Sequence, residues 1–203
     1  MNKRSPCSSH LVPKEFIHLA FEELTLHYPL KHHLLFDHVR FPFLKHLTLL
    51  SSRHRILPSS IQHLAQLETL CVHGLGSQWP QNFLRFPRLK LLRLKKSFPQ
   101  HLYHEVPYLP QLQTLDLSEN NLKVLPPWIK ELRQLRTLIL TKNQLTSFPQ
   151  EILTLPHLQR LVLDENEILY QNLSIHSKKL NHLSLDGNPM TEEERHHFLR
   201  FFS

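Results

Sequence analysis

The sequence predicts an α/β solenoid, a curved stack of about eight coils with parallel strands along one side and a short helix closing its C-terminal end. Three observations predict it. Leu112-x-x-Leu115-x-Leu117-x-x-Asn120-x-Leu122 returns 23 residues later as Leu135-x-x-Leu138-x-Leu140-x-x-Asn143-x-Leu145. It opens a third time at Leu158, with Leu161, Leu163, Asn166 and Ile168 in the matching places. The pair Leu125-Pro126 recurs at the same interval as Phe148-Pro149, and Thr191 through Glu194 carry a helix-start signature after the last repeat.

This pattern resembles the leucine-rich repeat, LxxLxLxxNxLxxLPxxIxxLxx, in its 23-residue form. The resemblance runs from about residue 12 to the end of the chain. It implies a curved leucine-rich-repeat horseshoe of about eight coils that binds a partner protein on its concave strand face, without catalysis. The repeats of residues 112–170 are similar to those of bacterial effector and adaptor proteins. That likeness implies a cytoplasmic protein, or one secreted into a host cell without a classical signal peptide.

Each element follows from its residues. Leu115-x-Leu117 alternates, so both leucines leave one face of a short strand and the intervening residues leave the other. Asn120 then turns the chain, and its amide can satisfy backbone groups that the bend leaves unpaired. Pro126 sets an extended start to the return path, with Ile129 and Leu132 turning inward beneath it. One coil buries too few apolar side chains to offset the entropy of ordering its backbone, so only stacked coils fold.

Walking the register gives strands near 23–26, 46–49, 69–72, 91–94, 114–117, 137–140, 160–163 and 182–185. Asn120, Asn143, Asn166 and Asn188 hold the turn in the last four coils, Ser52 and Ser97 stand in it earlier, and Leu75 and Pro29 fill the remaining two. The pairs Leu57-Pro58, Trp79-Pro80 and Phe98-Pro99 mark further return segments. The expected organisation is a polar tail over 1–10, degenerate N-terminal coils or a cap over 11–43, repeats over 44–190 and a capping helix over 191–203. Thr191 and Glu194 form its capping box, and Phe198, Phe201 and Phe202 share one face against the last coil.

Composition narrows the function classes. No run of 18 apolar residues exists to span a membrane, and no apolar stretch of signal-peptide length follows Lys3 and Arg4. Cys7 and Cys71 make no disulfide framework. There is no P-loop, GxSxG or HExxH motif and no zinc-finger spacing, so no enzyme, cofactor or metal site is expected. The adjacent pairs His32-His33 and His196-His197 point different ways on either a strand or a helix and chelate poorly.

The outward strand positions carry the candidate site. His73, Lys90, Arg93, Lys95, Lys96, Asp116, Arg160, Asp164 and Asp186 are expected on the partner-binding face. Residues 1–110 hold 14 of the 24 basic groups and six of the 17 acidic ones, and residues 85–96 contain six basic residues and no acid. A face positive at its centre and acidic near Asp164 and Asp186 would orient a complementary protein. The bland alternative is a solvated charge run. The other is an anion-binding protein engaging nucleic acid or a phosphoinositide membrane through 85–96. Few aromatics near that segment and no recognised motif argue against nucleic acid. A monomer is expected. Glu192-Glu193-Glu194 followed by Phe201-Phe202 is similar to the tails of type IV secretion substrates, and the same residues suit a capping helix.

Overall fold

The computed structural model describes residues 22–27, 41, 43–50, 61, 63–74, 85–98, 106–170 and 180–200. They form one eight-stranded parallel sheet whose strands follow one another in chain order. The strands are β1 (Glu23–His27), β2 (His46–Leu50), β3 (Thr69–His73), β4 (Leu91–Lys95), β5 (Thr114–Asp116), β6 (Thr137–Ile139), β7 (Arg160–Val162) and β8 (His182–Ser184). Every strand overlaps its predicted position. Register follows the repeat period, pairing Leu92 with Leu115, Leu115 with Leu138 and Leu138 with Leu161. The expected tail and degenerate first coil before residue 22, the turn positions Ser52, Leu75 and Pro29, the two earlier Leu-Pro and Trp-Pro pairs, Phe201 and Phe202 lie outside the described residues.

The core is a continuous column of leucines. Leu47, Leu70, Leu92, Leu115, Leu138 and Leu161 are buried one above another, and Leu49, Val72, Leu94, Leu117, Leu140 and Leu163 form a second column two residues on. On the return side, 3-10 helices Pro127–Glu131 and Gln150–Thr154 start from extended Pro126 and Pro149 and turn Trp128, Ile129 and Ile152 inward. Strands repeat about every 4.7–4.9 Å, closer than stacked helical segments can pack, which puts the sheet on the concave side.

A ladder of asparagine side chains stitches one coil to the next. Asn143 Oδ1 accepts from the backbone N–H groups of Asn120 and Leu122 in the coil before it, at 3.1 and 2.9 Å. Its Nδ2 donates to Leu117 O, also in that coil, and to Leu140 O in its own. Asn120 does the same with Ser97 N, Phe98 N and Leu94 O, Asn166 with Leu145 N and Leu140 O, and Asn188 with Ile168 N and Leu163 O. One residue type thus satisfies donors and acceptors that a buried turn would otherwise orphan.

Among the described residues, the one before each turn position is left-handed. Gly74, Lys96, Glu119, Lys142, Glu165 and Gly187 all have positive φ and recur at the repeat interval. The conformation swings the chain out of strand direction while its N–H stays in the ladder, as Glu119 N to Thr141 O at 2.9 Å shows. Four of the six are not glycine, so those four coils accept local backbone strain. At Gly187 a Cβ would also stand 3.1 Å from the Glu165 Cγ.

One expectation is corrected. The Phe98-Pro99 pair predicts a return segment, but the Phe98 N–H donates to Asn120 Oδ1, the bond that Leu122 N makes to Asn143. Phe98 therefore sits in the turn and packs against the core there, because that coil reaches the inward turn position one residue early. At the other end, helix α1 (Glu192–Leu199) carries a reciprocal capping box in which Thr191 accepts from Glu194 N and the Glu194 carboxylate accepts from Thr191 N. Phe198 is buried, 6.3 Å between ring centroids from Phe148, and closes the end of the core.

Asn143 is 6% exposed. Asn143→Leu should lower unfolding free energy by at least about 1–3 kcal/mol, the cost of leaving one such buried group unpaired. Urea denaturation measures it. Glu192→Gln, Glu193→Gln and Glu194→Gln together should cost less than about 1 kcal/mol in the same assay, because a glutamine can still cap and only the dipole interaction and the exposed Glu192–Arg195 contact are lost.

Candidate binding surface

The sheet buries one face and leaves the other uncovered by any described element. Register sorts the outward side chains into rows running across the strands. The first is Glu23, His46, Thr69, Leu91, Thr114, Thr137, Arg160 and His182; the second is Thr25, Thr48, Cys71, Arg93, Asp116, Ile139, Val162 and Ser184. Parallel sheets are ordinarily covered on both faces. Thr25, His46, Arg93, Arg160 and His182 are exposed, and Thr137, Ile139 and His73 are half-buried.

The basic segment is not a field of free cations. Lys90 Nζ lies 2.8 Å from Glu68, and Arg93 Nε lies 2.7 Å from Asp116. Lys95 and Lys96 share Glu119, at 2.7 and 2.9 Å. Each acid comes from an adjacent coil, one repeat away in sequence. The residues before the strands therefore alternate in sign, Glu22, Lys45, Glu68 and Lys90, with Lys45 also 2.8 Å from Glu22. The left-handed row does the same beyond the strands, through Lys96, Glu119, Lys142 and Glu165, with Lys142 3.5 Å from Glu165.

Asp116 was expected to be exposed and is 7% exposed. Its Oδ1 accepts from Ser118 N and Ser118 Oγ and its Oδ2 from Arg93, so the carboxylate is held inside a bonded group. Ser118 and Val162, which strand alternation sends to the same side, are also buried. Asp164 accepts from Asp186 N, and Asp186 pairs with Arg195 of α1 at 2.6 Å. Arg160 is exposed on β7 with no ion partner among the described residues. Glu68 and Glu119 were missed as site residues; counting one repeat interval from Lys90 and Lys96 would have found both.

Other chemistry is sparse. Cys71 is half-buried beside Arg93 on the outer face; burial raises its thiol above the ordinary range and the neighbouring Arg93 only partly offsets that. A protonated thiol is a poor nucleophile. Among the described residues no three His, Cys, Asp or Glu side chains are grouped to hold a metal, and no helix is long and apolar enough to cross a membrane.

A family model described as leucine rich repeat matches residues 87–145 and 133–190, together half of the chain. No curated protein sequence matches. An internalin from Listeria monocytogenes is similar in structure, with TM-score 0.59 and 20% identity, over 80% of this chain and 46% of its own. The structure of PEPR1–AtPEP1 is similar at TM-score 0.53 and 24% identity, over 82% of this chain and 23% of that one. Both likenesses concern the fold. The chain spans less than half the length of either.

Lys95 and Lys96 hold the Glu119 carboxyl down from 4.5 to about 2. A carboxylate depressed in the folded state contributes stability above its unfolded pKa and loses it as pH falls through the folded one. The stabilisation is thus full above pH 4.5 and lost toward pH 2. Glu119→Gln should therefore show a smaller fall in urea midpoint across that window than the unaltered chain.

Proposed function

Because the chain belongs to the leucine-rich repeat family, whose repeats serve as protein-interaction modules, we propose that it binds a partner protein noncovalently on the outer face of its sheet. The observation that carries this reading is the uncovered outer face of an eight-stranded parallel sheet. Such a sheet ordinarily has both faces packed. Here one face is left for a partner, and its side chains are anchored. Thr114, Thr137 and Ile139 supply short hydroxyl and apolar surface on β5 and β6. Arg160 and Asp164 flank it, and the ladders of alternating charge border it.

Lys90, Arg93, Lys95 and Lys96 enter this reading as ion-paired framework. A partner that meets them meets four cations already held by three acids, so they contribute shape and hydrogen-bonding register more than attraction. The same pairing supports a protein over a polyanion, which would have to displace Glu68, Asp116 and Glu119 from these cations to engage them.

The test is capture of partner proteins by the immobilised full chain. Ile139→Arg, on the outer face, should abolish capture while leaving thermal unfolding near that of the unaltered chain. Lys130→Asp, on the exposed return side, should leave capture intact. Capture surviving Ile139→Arg, or lost equally in both variants, would place the interaction elsewhere.

A further inference from the structure

Two neighbouring cations available for recognition lie two coils beyond the basic segment. Arg136 and Arg160 are both exposed, and neither is paired with a carboxylate among the described residues. They are 24 apart in sequence and adjacent in space, since Arg160 N donates to Arg136 O at 2.9 Å. Arg136 occupies the row in which Lys45 and Lys90 each find a glutamate on the neighbouring coil. Its own row neighbours are Gln113 and Gln159, joined through Arg136 N to Gln113 O and Gln159 N to Arg136 O. Arg160 stands between Thr137 and His182. The acids that follow these strands, Glu119, Asp164, Glu165 and Asp186, lie beyond their far ends, and those of the return segments, Glu131 and Glu151, form no ion pair with either arginine among the described residues.

We propose that Arg136 and Arg160 form an acidic-peptide subsite, which takes a carboxylate-bearing segment of the partner protein at the entry edge of β6 and β7. This rests on the outer-face reading above. A guanidinium presents a planar fork that matches a carboxylate at two points and is weakly hydrated, so two adjacent ones with no internal acid form a recognition element for acidic side chains. The neighbouring Thr137 and Ile139 give the rest of a peptide hydroxyl and apolar contact. No phenylalanine, tyrosine or tryptophan stands in β5–β8 on which a nucleic-acid base could stack, which favours peptide over single-stranded nucleic acid.

The test is fluorescence anisotropy of a labelled hexaglutamate peptide titrated with the full chain at low salt. Arg136→Gln with Arg160→Gln should weaken binding about tenfold or more, the loss expected when charged hydrogen bonds are removed. Lys123→Gln with Lys130→Gln makes the same change of net charge at exposed positions outside the strands, and should weaken it less than about twofold. Equal losses in the two variants, or no loss in the arginine variant, would overturn the subsite. So would tighter binding of a thymidine oligonucleotide of equal charge, lost through the same two arginines. If Ile139→Arg blocks partner capture while hexaglutamate fails to bind, the outer-face reading stands and this subsite falls.

Discussion

The structure depends on a single constraint: each coil must satisfy the buried backbone groups of its neighbour. Asn143 shows how this is met, because its amide bonds two N–H groups in the previous coil and carbonyls in both coils. The leucine columns supply the driving force for stacking, yet apolar contact alone is non-directional and would let coils slip. The asparagine bonds set register, and register puts every other side chain where it is. The left-handed residue before each turn is a local cost of that arrangement, and the stack as a whole holds it in place.

Register also decides the electrostatics. In sequence, residues 85–96 form a block of one sign. In space, each of its strand cations meets an acid one repeat away, and the surface there is a lattice of alternating pairs. Charge read along the chain and charge read across the sheet are therefore different quantities in a solenoid. The second one is what a partner meets, and at the entry to β6 and β7 it leaves Arg136 and Arg160 without an acid partner among the described residues.

The strands, the core columns and the turn asparagines were legible because a fixed period fixes both partners at once. Leu115 implies Leu138 above it, and Asn120 implies a backbone turn beneath it. Phe98 was misplaced because its neighbour Pro99 imitates the Leu-Pro return signal, while that coil reaches the turn one residue early. Asp116 was placed outward correctly, but alternation says only which face a side chain leaves, and Arg93 and Ser118 fold over it. The acidic run at Glu192–Glu194 found a structural use that its sequence announced, since Glu194 caps the helix and Glu192 reaches Arg195 at 3.9 Å. The pairing of the cations was the least visible feature, because it requires applying the period to polar residues as well as to leucines.

Native-state hydrogen exchange tests the coupling of coils most directly. The amides of Asn120, Leu122, Leu145 and Ile168 lie outside the strands, where exchange is ordinarily fast, yet each donates to an asparagine side chain in the next coil. The account predicts that these four exchange as slowly as the strand amides of Leu115 and Leu138, with an opening free energy near that of global unfolding. Exchange at the rate of exposed turns would contradict it, and would mean that the leucine columns hold the stack without the asparagine ladder.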